Sequence, residues 1–252
     1  MSLAFLADYA NSDDDSSEHK DIIGGNNISR SEDSNGGQGY CSDSSSTGEE
    51  DVGHGKGWWR GLVCLVIGQN SQLQELASAC MDRLCTGTGG AQAAVKPRYV
   101  RVLGDLHISL TRPFYLQRHQ LSEFARELES SVGGMGPIAV GFGGLSTYTN
   151  EQQTRGFVAV DVDHGEESIR RVLDRVNLVV KKFGKRRFYR SPRFHASLLA
   201  VKLAGDREMS EIWGSGLANE QERIAQLVAV RIDTVECMLG ASKYSVALDR
   251  TD

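Results

Sequence analysis

Two five-residue stretches, 88 positions apart, carry the same order of side chains: Leu106-His107-Ile108-Ser109-Leu110 and Phe194-His195-Ala196-Ser197-Leu198. Each alternates apolar with polar, the pattern of a half-buried β-strand. Successive strand side chains point to opposite faces, so each stretch puts its His and Ser on one side, roughly 7 Å apart. Ile108, Leu110, Ala196 and Leu198 are thereby committed to a core. Any fold for this chain must hold two like strands whose polar faces are turned away from that core. One such stretch alone reads better as a half-buried histidine beside a hydrogen-bonded serine, since lone histidines are commonly structural. Two copies point to a two-histidine site. One imidazole can remove a proton while the other supplies one, because histidine titrates near neutrality. The hydroxyls of Ser109 and Ser197 suit the non-bridging oxygens of a phosphate.

The other four histidines offer less: His119 at a helix start, His164 in the turn of DVDHGEE, and His19 and His54 in an acidic stretch. A metal held by His107 and His195 finds no carboxylate at ligand spacing, so neither a metal nor another cofactor is expected. The glycine-bearing segments GQN, GTGG and VGFGG match neither a P-loop nor a dinucleotide-binding turn.

Charge divides the chain. Residues 1–56 hold 12 Asp and Glu against 3 Lys and Arg, and the rest hold 21 against 25, so a tail of −9 precedes a body of +4. The tail is mostly Ser, Asp, Glu, Gly and Asn, and it cannot bury enough apolar area to offset ~1–2 kcal/mol of backbone entropy per ordered residue. It is expected to be disordered, with Ser12, Ser16 and Ser17 placed among acids as acidophilic kinases prefer. Residues 57–252 are then the single folded domain. No stretch approaches the ~20 apolar residues of a membrane span, and the first residues lack the basic leader of a secretory signal. Cys41, Cys64, Cys80, Cys85 and Cys237 are odd in number and form no C-x-x-C pair, which favours a reducing compartment.

Within the body, strands are expected over 60–68, 98–103, 106–110, 138–142, 156–162 and 194–201, with a closing hairpin from 230–236 and 243–248. Asn70 is placed to cap a helix reaching about Leu84, followed by a Gly/Ala loop. Further helices are expected over 117–132, 166–183 and 220–228. Strands and helices mix without a regular βαβ rhythm, so the class is α+β.

The paired His-x-Ser pattern resembles that of the 2H phosphoesterase superfamily. Three stretches, 107–121, 146–162 and 181–199, narrow the resemblance to the U6 small nuclear RNA 3′-end-processing phosphodiesterases. They carry Tyr-Thr-Asn at 148–150, Thr-Arg at 154–155 and Phe-Tyr-x-x-Pro-x-Phe-His at 188–195. The resemblance implies two pseudo-symmetric lobes of antiparallel sheet plus helices around a central cleft. It implies a metal-independent 3′–5′ exoribonuclease working at a single-stranded RNA 3′ end, as a monomer in the nucleus. The 2′-hydroxyl of the penultimate nucleotide would attack its own 3′-phosphate and leave a 2′,3′-cyclic or opened end. His107 and His195 would be the acid–base pair, Ser109 and Ser197 the phosphate holders, and Tyr189, six positions before His195, a stacking platform for a base. Tyr148 is a second substrate-binding candidate that could equally pack its own strand. The basic run 181–187 could guide phosphates or simply end a helix. A cyclic-phosphate hydrolase without exonuclease action and a non-catalytic RNA-binding protein are the alternatives.

Overall fold

The computed structural model describes residues 57–86, 100–203 and 221–249. The expectations for the acidic tail, the Gly/Ala loop and the first residues of the 98–103 strand lie outside them. In chain order the elements are β1 (Trp58–Gly68), α1 (Ser71–Thr86), β2 (Val100–Val102), β3 (Leu106–Ser109), β4 (Phe114–Gln117), α2 (Arg118–Val132), β5 (Ile138–Thr149), β6 (Arg155–His164), α3 (Glu166–Lys182), β7 (His195–Lys202), α4 (Gln221–Ala225), β8 (Val230–Ile232), β9 (Thr234–Leu239) and β10 (Ser242–Ala247). The class is α+β, as expected.

The strands form one antiparallel path, β10-β9-β1-β3-β7-β6-β5-β8, with β4 also paired to β1 and β2 to β7. The two His-x-Ser strands, β3 and β7, are neighbours at the middle of that path, joined in register at Ile108 and Ala196. Both of these residues are fully buried. On either side, β1 supports β3 and β6 supports β7. The core face collects Val63, Leu65, Ile108, Leu110, Val160, Ala196 and Leu198, all buried.

Helix ends follow local chemistry. The Leu73 N–H donates to Asn70 Oδ1 at 3.0 Å, so Asn70 caps α1 as the sequence predicts. Leu73, Leu76, Ala77, Cys80 and Leu84 on its apolar face are buried. At α2, Gln120 Oε1 accepts the Gln117 N–H at 2.9 Å. Helix α3 begins after Gly165, whose φ of 87° is left-handed and whose missing Cβ would stand 2.1 Å from the Ala139 carbonyl oxygen. Glu166 and Glu167 open α3 and Lys181 and Lys182 close it, the order its dipole favours. Its Ile169, Val172, Leu173, Val176, Val179 and Val180 are all buried. Lys182 pairs with Glu127 of α2 at 2.5 Å. Lys185 lies 5.3 Å from the Trp58 ring. Much of the basic run thus serves helix ending and packing.

Three expectations need correction. The strand expected to end at 142 continues as β5 to Thr149, because Gly141, Gly143 and Gly144 occur where the register with β6 shifts. A Cβ on Gly143 would meet Asp163 Cβ at 2.6 Å, so glycine here permits close passage of the two strands. The expected strand over 230–236 is two strands: β8 pairs with Ile138–Val140 of β5, and β9 pairs with β10. The break falls at Asp233, whose carbonyl accepts the Leu248 N–H at 2.7 Å. Strand β4 was not foreseen.

Candidate active site

The antiparallel register decides the geometry. Ile108 faces Ala196, so stepping one residue each way sets His107 opposite Ser197 and Ser109 opposite His195. All four side chains share the face away from the core, and all four are half-buried. The two histidines are diagonal neighbours across the strand pair, about 7–8 Å apart. This local arrangement has a twofold axis through the Ile108–Ala196 pair.

Both imidazoles are held the same way. His107 Nδ1 lies 3.0 Å from the carbonyl oxygen of Asp105, and His195 Nδ1 lies 2.9 Å from that of Arg193. A carbonyl oxygen only accepts, so each Nδ1 carries the hydrogen in the neutral ring. Nε2 is then the nitrogen at which each ring takes up or releases its proton. Burial pushes both histidines below their ordinary value of 6.5; the carbonyl bonds and nearby carboxylates only partly offset it. For His107 those carboxylates are Glu236 and Asp105, and for His195 it is Asp161.

The flanking strands differ. Asp161 on β6 is the cross-strand partner of His195. Its carboxylate accepts from the Tyr148 hydroxyl at 2.5 Å, from the Ser146 hydroxyl, and from the Arg193 guanidinium at 3.1 Å. The Tyr148 ring lies on the His195 imidazole, with centroids 3.9 Å apart and planes 13° from parallel. On the β3 side, Cys64 is the partner of Ser109, and Glu236 the partner of Cys64. The Cys64 thiol is buried and pushed up to about 12, chiefly by burial, so it stays a neutral thiol beside the site.

Tyr189 is 42% exposed and stands in a cluster of three segments. The Arg112 guanidinium lies 4.0 Å over its ring, Arg112 pairs with Glu151 at 3.1 Å, and the Tyr189 hydroxyl donates to Glu151 at 3.2 Å. Arg112 follows Ser109 by three residues and Glu151 follows Tyr148 by three, so the cluster grows from the same segments as the site. One ring face is covered by Arg112, and the ring retains exposed surface for a base.

The structure thus brings His107, His195, Ser109 and Ser197 together, sets Tyr148 against His195, and places Tyr189 in the adjoining cluster. Sequence reasoning missed Asp161, Arg193, Ser146, Arg112 and Glu151. Asp161 left one signal: within 156–162, the stretch expected as a strand, it is the charged residue among apolar ones. Among the described residues, no three His, Cys, Asp or Glu side chains gather into a metal cage. No described helix is long and apolar enough to cross a membrane.

A Drosophila melanogaster protein named U6 snRNA phosphodiesterase 1 is 35% identical over 134 residues, 52% of this chain and 51% of that one. The match thus spans about half the length of the fly relative. The Rattus norvegicus protein of the same name is 26% identical over 203 residues, 77% of this chain and 71% of that one. The structure of Kluyveromyces marxianus Usb1 with uridine monophosphate shares the fold at a TM-score of 0.56 and 16% identity, covering 75% of this chain and 98% of that one. The family model HVSL, described as an uncharacterised conserved protein, matches residues 47–247. With four-fifths of its length matched by that model, the chain belongs to the HVSL family.

Proposed function

We propose that this protein is a metal-independent RNA phosphodiesterase that shortens single-stranded RNA from its 3′ end, with U6 small nuclear RNA as its natural substrate. The observation that carries this reading is the β3–β7 register, which puts two carbonyl-anchored imidazoles and two hydroxyls on one face around a local twofold axis. A phosphodiester between two such imidazoles can lose a proton on one side and gain one on the other. The relatives named as U6 snRNA phosphodiesterases and the uridine monophosphate bound to the Usb1 neighbour support RNA as the substrate.

In this mechanism one imidazole takes the proton of the penultimate 2′-hydroxyl through Nε2. The freed oxygen attacks the adjacent phosphorus, and the other imidazole protonates the departing 5′-oxygen. The nucleophile is tethered beside its target, so the protein supplies proton transfer and alignment. Ser109 and Ser197 donate to the non-bridging oxygens. Tyr189 stacks on a base, a contact worth ~1–3 kcal/mol. The protein acts as a monomer in the nucleus, with residues 57–252 as its catalytic domain.

A labelled single-stranded oligouridylate incubated with excess EDTA tests the reading. Stepwise shortening from the 3′ end is expected. Ring-opening of a cyclic phosphate without shortening would assign a cyclic-phosphate hydrolase instead, and retention without cleavage would assign a binding protein.

A further inference from the structure

The two histidines share a backbone anchor, and His195 stands in a further network of side chains. Around it a closed circuit of contacts runs through three chain segments. The Arg193 carbonyl accepts His195 Nδ1–H at 2.9 Å, while the Arg193 guanidinium donates to Asp161 at 3.1 Å and to Ser146 Oγ at 3.3 Å. Asp161 also accepts the Tyr148 hydroxyl at 2.5 Å, and the Tyr148 ring returns to lie flat on the imidazole at 3.9 Å. We propose that Asp161 and Tyr148 are a positioning pair for His195: the carboxylate fixes the tyrosine, and the tyrosine fixes the plane of the imidazole and favours its charged form.

The bond from Nδ1 to the Arg193 carbonyl holds one ring atom and leaves the ring able to rock about it. A parallel aromatic ring removes that freedom, and proton transfer depends steeply on such alignment. An imidazolium over an aromatic face is also stabilised by the ring quadrupole. The Tyr148 hydroxyl donates to a carboxylate, which makes its ring more electron-rich. Burial first, and then the bond to Asp161, holds this hydroxyl above its ordinary range, so it remains a neutral donor. Among the described residues, the titratable and charged groups that face His195 are Asp161 from β6, Tyr148 from β5, His107 from β3 and Arg193 from its own segment. The carboxylate favours the charged imidazole, and His107 and Arg193 oppose it. The pair therefore gives Tyr148 a role other than base contact, one resting on His195 as a proton-transfer group.

The test is an NMR titration of the imidazole Cε1–H signals in the full chain without RNA, paired with steady-state kinetics on oligouridylate. Asp161→Asn should lower the His195 midpoint by about one pH unit while moving that of His107 less. Tyr148→Leu should lower kcat about tenfold or more with KM changing less than about twofold, and Tyr148→Phe, which keeps the ring but loses the bond to Asp161, should restore only part of that loss. Should Tyr148→Leu fail to fold, Tyr148→Phe, with kcat below the parent value and KM unchanged, carries the test together with the Asp161→Asn titration. A His195 midpoint unmoved in Asp161→Asn overturns the proposal. So does a Tyr148→Leu protein with raised KM and retained kcat, which would make Tyr148 a substrate contact. The titration is read without substrate, so a protein that titrates as expected but cuts no RNA would refute the proposed activity and leave the positioning pair standing.

Discussion

His107 and His195 each follow a buried residue and precede another, Leu106 and Ile108 in one strand, Phe194 and Ala196 in the other. Their backbones therefore have little freedom to move, and the ring nitrogen nearer the chain is already bonded to a carbonyl. If both rings transfer protons, His107→Ala and His195→Ala should each reduce kcat by about 10²–10⁴, with far smaller loss of RNA affinity. Ser109→Ala and Ser197→Ala should cost less, because a neutral hydroxyl donor contributes less than a proton transfer. Single-turnover rates with parallel binding measurements check both statements. The pH dependence follows from burial. The base must be neutral and the acid protonated, and both titrate below 6.5. As pH rises past the upper value the acid loses its proton, so kcat/KM should be bell-shaped with its maximum on the acid side of about 6.5 and fall toward pH 8. The two limbs are apparent values of the pair. A profile still rising at pH 8 would contradict it.

At the scale of elements, the site depends on one junction. β3 and β7 meet at Ile108 and Ala196, and that register alone sets each histidine opposite the other strand's serine. Ile108→Ala should destabilise the fold by about 2–5 kcal/mol in denaturant unfolding, since a fully buried side chain would leave a cavity. It should also lower kcat more than any core substitution of equal cost in α3. Gly165→Ala should destabilise as well, because its Cβ would collide with the Ala139 carbonyl. How far such features are legible depends on how local they are. Helix α3 was readable because six apolar residues at helical spacing all face the core. The two His-x-Ser strands were readable because alternation survives in five residues. Strand β4 was missed because four residues after Pro113 carry too little pattern. The far half of β5 was missed because Gly143 and Gly144 interrupt the apolar pattern, whereas they serve the bulged pairing with β6. Asp161, Arg193 and Tyr148 lie on three separate segments, and their convergence comes from the β5-β6-β7 pairing, which no local window contains.

For the whole molecule, charge and register give the account its reach. The body of +4 suits an RNA ligand, and the tail of −9 repels one. A chain beginning at residue 57 should keep its activity or gain modestly at low salt; loss of activity in a properly folded shortened chain would place the tail in the site. The fold sets two His-x-Ser strands side by side in its sheet, which suits a symmetric demand, one proton removed and one supplied across a phosphorus. That demand belongs to attack by the neighbouring 2′-hydroxyl, and it can be tested on the substrate. An oligouridylate with a 2′-deoxy sugar at the penultimate position should bind like its ribose counterpart yet remain uncut, while the ribose form is shortened in EDTA. Cleavage of the deoxy substrate at the ribose rate would mean that water attacks, and would contradict the mechanism even if both histidines proved essential.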